Sequence, residues 1–159
     1  MRVGSLFAGY GGLSVAVEHV FGAELAWYSE FDQAPSQVMA AHWPGVPNLG
    51  DITKIDWSTV PPVDIIDGGY PCQPFSLAGA RRGVEDERHL WPHVVEALRH
   101  LMPPRVVFEN VRGHLSIGFD EVLRDLSWLG YDVEWRLIAA SEIGAPHRRQ
   151  RLFIYGELK

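Results

Sequence analysis

The chain's one cysteine, Cys72, stands between Pro71 and Pro74 in the stretch DIIDGGYPCQPFS, just after Gly68 and Gly69. A thiol at the carboxyl end of an apolar run, with backbone amides around it and a helical pattern to follow, can be held as the thiolate, the form that attacks carbon. The flanking prolines restrict the backbone and so fix the direction of the sulfur. Taken alone, a single cysteine reads more simply as a small buried hydrophobe. A second group of residues lies in FAGYGG, Phe7 to Gly12, where Gly9, Gly11 and Gly12 separate an apolar run from a helical pattern. Glycine there lets the main chain turn tightly and approach a ligand closely. The spacing is GxGG and not the GxGxxG of dinucleotide binders, yet Glu30 falls where an acid could accept both hydroxyls of a ribose. By itself the pair reads either as a nucleoside-cofactor site or as a tight turn beside a surface glutamate.

The elements around these residues alternate. Apolar runs RVGSLF, ELAWYSE, VDIIDGG and RVVFEN are interleaved with helical patterns over Leu13 to Val20, Gln33 to His42, Leu90 to Leu101 and Phe119 to Leu129. This alternation predicts βαβ units, an α/β fold with a mostly parallel sheet and helices on both faces. YDVEWRLIAA and RLFIYGEL, joined by a short connection rich in Gly and Pro, predict a terminal antiparallel hairpin with one antiparallel strand at a sheet edge. In such sheets ligands bind outside the carboxyl ends of the strands. FAGYGG, Glu30, GGYPCQPFS and ENV (Glu109 to Val111) all fall at such ends.

Length and composition narrow the classes. The 159 residues predict a single catalytic-size domain over 1–159 without internal repeats or linkers. A lone cysteine makes no internal disulfide and belongs to no zinc-type cluster, and the amino terminus lacks the pattern of a signal peptide, so the expectation is a cytoplasmic protein with a free thiol and no metal. The formal charge of -6 argues against a free-standing nucleic-acid binder, although GARRG and HRRQR concentrate basic charge locally. His89 and His93 have helical spacing, but the HExxH glutamate is missing and Pro92 lies between them, which disfavours a metal hydrolase. The GxGG spacing disfavours a nicotinamide-dependent oxidoreductase.

With SLFAGYGG, SEFD, GDI, GGYPCQPFS, DERHLW, ENV and GAPHRRQRLF in this order, the chain resembles the cytosine-5 DNA methyltransferase family over nearly its whole length. The resemblance implies a Rossmann-like fold that binds S-adenosylmethionine. It implies Cys72 as the nucleophile that adds to carbon-6 of cytosine, Glu109 as the acid at nitrogen-3, and Arg149 and Arg151 at the carbonyl oxygen and the neighbouring phosphate. On the cofactor side it places Phe7 against the adenine, Gly9, Gly11 and Gly12 near the methionine portion, and Glu30 on the ribose. Phe31, Asp51 and Ile52 would hold the adenine and its amino group, while Gly69, Pro71 and Leu90 line the pocket and Asn110 braces the cysteine loop. Double-stranded DNA is the implied partner, with the target base flipped out of the helix; an RNA cytosine is open to the same attack.

The sequence also departs from the family pattern. Ser5 stands where an aspartate is common, Tyr70 where phenylalanine is usual, His89 where glycine is common and His147 where glutamine is typical. The family's target-recognition region and two further motifs would follow RLFIYGELK. Their expected absence favours the catalytic part of a split or truncated enzyme, with a second polypeptide supplying target recognition and the missing motifs. A minimal enzyme that acts alone is a second reading, and a non-catalytic relic that binds S-adenosylmethionine or a partner protein is a third.

Overall fold

The computed structural model describes residues 1–71 and 90–159. Six strands form one sheet: Arg2–Leu6 (β1), Glu24–Ser29 (β2), Ile65–Gly68 (β3), Arg105–Val111 (β4), Tyr131–Ala139 (β5) and Gln150–Leu158 (β6). Their order is β2-β1-β3-β4-β6-β5, parallel from β2 to β4 and antiparallel at both contacts of β6. Among the described residues the α-helices are Gly12–Phe21 (α1), Gln33–His42 (α2), Trp91–Leu101 (α3) and Phe119–Trp128 (α4). The expected hairpin is therefore present, but its reversed strand does not take the edge. β6 inserts between β4 and β5, which buries Leu152 and Ile154 fully and leaves the more polar β5 outermost. Among the described residues no helix is long and apolar enough to cross a membrane.

Strand periodicity sorts the core into two layers. Val3 and Ile65 pack with Val17, Leu25, Tyr28 and Met39 on the face covered by α1 and α2. Leu6, Ile66, Val106, Phe108, Leu152 and Ile154 pack with Val94, Leu98, Val122 and Leu126 of α3 and α4 on the other. Gly4 belongs to this second face for a steric reason, since a Cβ there would lie 2.1 Å from Trp27 Cζ2. The same alternation puts Ser5, Asp67 and Glu109 on the α1 face, and so fixes which polar groups can meet beneath the loops.

Candidate functional site

The loop after β1 is held in a conformation most residues avoid. Phe7, Gly9 and Gly11 all have positive φ, of 52°, 54° and 81°. Gly11 also caps α1 with no side-chain hydrogen bond, and a Cβ there would lie 2.5 Å from the Trp43 ring. The opening amides of α1 are thus left without a side-chain cap, the arrangement that suits a bound anion or carboxylate. Glu30 ties this loop to the end of β2: its Oε2 accepts from the Gly9 amide at 2.8 Å and its Oε1 from the Asp32 amide at 2.8 Å. An ionised carboxylate has about four acceptor sites, so about two remain for ribose hydroxyls.

Asn48 joins Glu30 to the GDI segment. Its Oδ1 accepts from the amides of Glu30 and Gly50, at 3.1 and 2.9 Å, and its Nδ2 donates to the Glu30 carbonyl at 3.1 Å. Ser29 Oγ adds a bond to the Gly50 carbonyl. Asp51 caps the short 3₁₀ turn Ile52–Lys54 by accepting from the amide and hydroxyl of Thr53, and those bonds lower its pKa. Ile52 is buried in the core, so its backbone is what it offers a ligand, whereas Phe31 is 74% exposed beside Glu30. Asn48 was not among the expected residues; its turn-like setting, VPNLG, was the available signal.

The catalytic candidates meet at the ends of β3, β4 and β6. Glu109 pairs in register with Phe153, which sets Arg151 diagonally across from it on the same face, and Arg151 Nε contacts Glu109 Oε1. Burial pushes the Glu109 carboxyl above the ordinary carboxylate range; the guanidinium of exposed Arg149 pulls the other way without cancelling it. Glu109 Oε2 lies against Gly69, where a Cβ would approach to 3.4 Å. Phe7, Gly12, Leu13, Gly69, Glu109 and Phe153 line a cleft of 410 Å³ that joins the glycine loop to this acid.

Asn110 Nδ2 donates to the carbonyl of Tyr70 at 3.1 Å, fastening the end of β4 to the segment that leads into Pro71. Tyr70 is buried, and its extra hydroxyl relative to phenylalanine is used: Oη lies 2.9 Å from His114 Nε2. His114 Nδ1 is 3.1 Å from the Ile117 carbonyl, which can only accept, so Nδ1 carries the hydrogen and Tyr70 O–H donates to Nε2. Burial lowers the pKa of this histidine, in keeping with a neutral ring. Leu90 is half-buried and precedes α3, where its carbonyl accepts from the amides of His93 and Val94. At the His147 departure, the imidazole Nδ1 accepts the Arg149 amide at 3.4 Å. Pro71 is the last described residue before the gap, and Cys72 and His89 lie outside the described residues.

Asp67 is a site residue that the sequence reading missed. It is fully buried on β3 opposite Ser5, and its Oδ1 accepts from Ser5 Oγ at 2.5 Å and from Ser14 Oγ at 3.3 Å. Oδ2 has no partner. The signal was an acid inside the apolar run DIIDGG. Burial, partly offset by the two serines and reinforced by Glu18, raises its pKa from 3.8 to about 7. The folded state then keeps a proton that the unfolded chain releases above the unperturbed value. The stabilising contribution is complete below that value and is lost as pH rises to about 7, a span on the order of 4 kcal/mol. We therefore expect the thermal midpoint to be lower at neutral than at mildly acidic pH, with a flatter slope in Asp67→Asn. Equal slopes in the two proteins would remove Asp67 as the origin.

A mostly parallel α/β sheet carries at its strand ends a glycine loop with positive φ, the acid Glu30 and a half-buried acid, Glu109, flanked by guanidiniums. This is an arrangement of the doubly wound class, whose ligands bind at the carboxyl ends of the strands. The model of the family "C-5 cytosine-specific DNA methylase" matches residues 1–159, and the chain belongs to this family. It is 37% identical to the orphan methyltransferase M.SPRI of Bacillus phage SPR, over 98% of this chain and 37% of the relative. It is 34% identical to the type II methyltransferase M.NgoBV of Neisseria gonorrhoeae, over 97% of this chain and 40% of the relative. The chain thus spans well under half the length of these curated relatives. Among solved structures, a putative DNA modification methyltransferase encoded within an E. coli prophage matches with a TM-score of 0.80 at 27% identity, covering 99% of this chain and 47% of that one. The fold is also that of the S. pombe Dnmt2 methyltransferase, with a TM-score of 0.84 at 19% identity and 99% and 51% coverage.

Proposed function

We propose that this domain transfers a methyl group from S-adenosylmethionine to carbon-5 of cytosine in DNA through a covalent Cys72 adduct. The observation that carries this reading is the junction of Glu109 with the strand end leading to Cys72: Glu109 lies against Gly69, and its neighbour Asn110 holds the Tyr70 carbonyl. The cofactor fits the residues present. The close main-chain approach allowed by Gly9, Gly11 and Gly12 suits its methionine portion, Glu30 its ribose, and Phe7, Phe31, Asp51 and Ile52 its adenine, with Gly69, Pro71 and Leu90 along the pocket.

Carbon-5 of cytosine is a weak nucleophile. Addition of the Cys72 thiolate to carbon-6 forms a C–S bond and shifts electron density toward carbon-5 and nitrogen-3. Glu109, whose pKa burial raises, donates a proton or a hydrogen bond to nitrogen-3 in its protonated form, and Arg149 and Arg151 face the carbonyl oxygen and phosphate. S-adenosylmethionine, when bound, supplies an electrophilic methyl on a sulfonium. Loss of the carbon-5 proton and departure of the Cys72 thiolate restore the ring double bond. The cytosine leaves the duplex to reach these groups.

Transfer of labelled methyl to unmethylated duplex DNA by this chain, with Cys72→Ser as control, tests the reading. Cofactor binding without transfer, alone and with added partner, would instead favour the non-catalytic module. We further propose a second polypeptide for target recognition. Its support is a 310 Å³ hollow on the sheet face, lined by Val107, Phe153 and Tyr155 between Glu134 and Arg136. On the cofactor side, Glu30→Ala is expected to weaken S-adenosylmethionine binding about tenfold or more, since it removes ribose acceptors and the Gly9 tether together. Calorimetric titration checks this, and an unchanged affinity would take Glu30 out of the pocket.

A further inference from the structure

We propose that Asp67 is a positioning residue for the cofactor loop, one carboxylate oxygen pinning both feet of Phe7–Gly12: Ser5 on the strand that enters it and Ser14 on the helix that leaves it. The inference rests on the reading above only in taking S-adenosylmethionine as the ligand. Ser5 Oγ lies 2.5 Å from Oδ1, within the range of a charge-assisted O–H···O⁻ bond. Ser14 Oγ lies 3.3 Å from the same oxygen and 3.0 Å from Ser5 Oγ, so the three groups close a triangle under the loop. Ser14 sits two residues past Gly12, in the first turn of α1, a turn with no acid and no side-chain cap of its own. The carboxylate therefore braces that turn from below, while the turn's amides stay available above.

A carboxyl with no exposure is expensive in this place. The groups that face it are Ser5 from β1, Val107 in register on β4, and Ser14 and Glu18 from α1, and the one charge among them, Glu18, repels it. An apolar residue would serve packing better. Retention is explained if the loop, with three residues at positive φ, must be held open for the cofactor. The chain runs on from the end of β3 at Gly68 through Gly69 and Tyr70 to Pro71, so the same side chain links the cofactor loop to the strand whose end leads to Cys72. The exchange with Ser5, the position where an aspartate is common, is geometrically neutral. The two residues are register partners across β1 and β3, and Ser14 is nearly equidistant from both.

The test is calorimetric binding of S-adenosylmethionine to the full chain between pH 6 and 8.5. Asp67→Asn keeps an acceptor and removes the charge, and is expected to weaken binding about tenfold. The double variant S5D/D67S, which moves the carboxyl across the register, is expected to restore affinity to within about threefold. In the unsubstituted chain affinity falls as pH drops through the titration of Asp67, and in Asp67→Asn it does not. Unchanged affinity in Asp67→Asn overturns the proposal. So does a double variant that melts like the unsubstituted chain yet binds about tenfold or more weaker than it, and this comparison, which does not involve Asp67→Asn, decides alone if Asp67→Asn does not fold. Binding by the unsubstituted chain without DNA methylation, alone and with added partner, removes the proposed function and leaves this inference standing; no binding by that chain overturns both.

Discussion

Cys72→Ser is expected to lower methyl transfer by at least about a thousandfold while leaving S-adenosylmethionine affinity within about threefold. A serine hydroxyl stays protonated at neutral pH and is a far weaker nucleophile toward carbon-6, so the first bond does not form. The flanking Pro71 and Pro74, and the glycine loop proposed to receive the cofactor, are untouched. Because the chain has a single cysteine, alkylation of that one thiol should inactivate the unsubstituted protein in step with label incorporation. Substantial transfer by Cys72→Ser would mean that methylation proceeds without the adduct, and the mechanism proposed above would fail.

Glu109→Gln is the second large effect, a loss on the order of a hundredfold in transfer rate. Glutamine keeps the shape and can offer an N–H, but it has no proton to give to nitrogen-3. Burial raises the Glu109 pKa, so the protonated form persists to higher pH than for an ordinary carboxyl. As pH rises through that pKa, the unsubstituted enzyme loses the acid, and its rate should show a decline on the alkaline side that the Gln variant lacks. The sign opposes that of Cys72, whose thiolate grows with pH. A pH–rate comparison of the two proteins at saturating cofactor measures it. Matching alkaline limbs would assign the limb to another group.

Both effects concern residues that were legible early. The positions of Cys72 between prolines, Glu109 at a strand end and the GxGG loop could be read locally, because turn chemistry and strand periodicity are encoded within a few residues, whereas their expected roles came from the ordered set of motifs and the family it resembles. The element boundaries were equally readable: Gln33–His42 forms one helix as its spacing predicts, and Phe119–Trp128 ends within a residue of expectation. Asp51 was harder to read, because an acid before a short turn can cap it or bind a ligand. In the structure its Oδ1 caps.

The sequence by itself determined the alternation of elements, the loops that carry chemistry and the order of motifs that places the chain in its family. Only the tertiary structure decided which of those loops touch and what holds them. Asp67 meets Ser5 across 62 residues, Tyr70 meets His114 across 44, and Asn110 reaches the Tyr70 carbonyl across 40. Arg151 finds Glu109 only because β6 runs antiparallel beside β4 in one register; a slip of one residue would turn it to the opposite face. Periodicity tells a side chain which way to point, but its partner is set by which strands lie side by side, and that follows from burying two apolar faces at once.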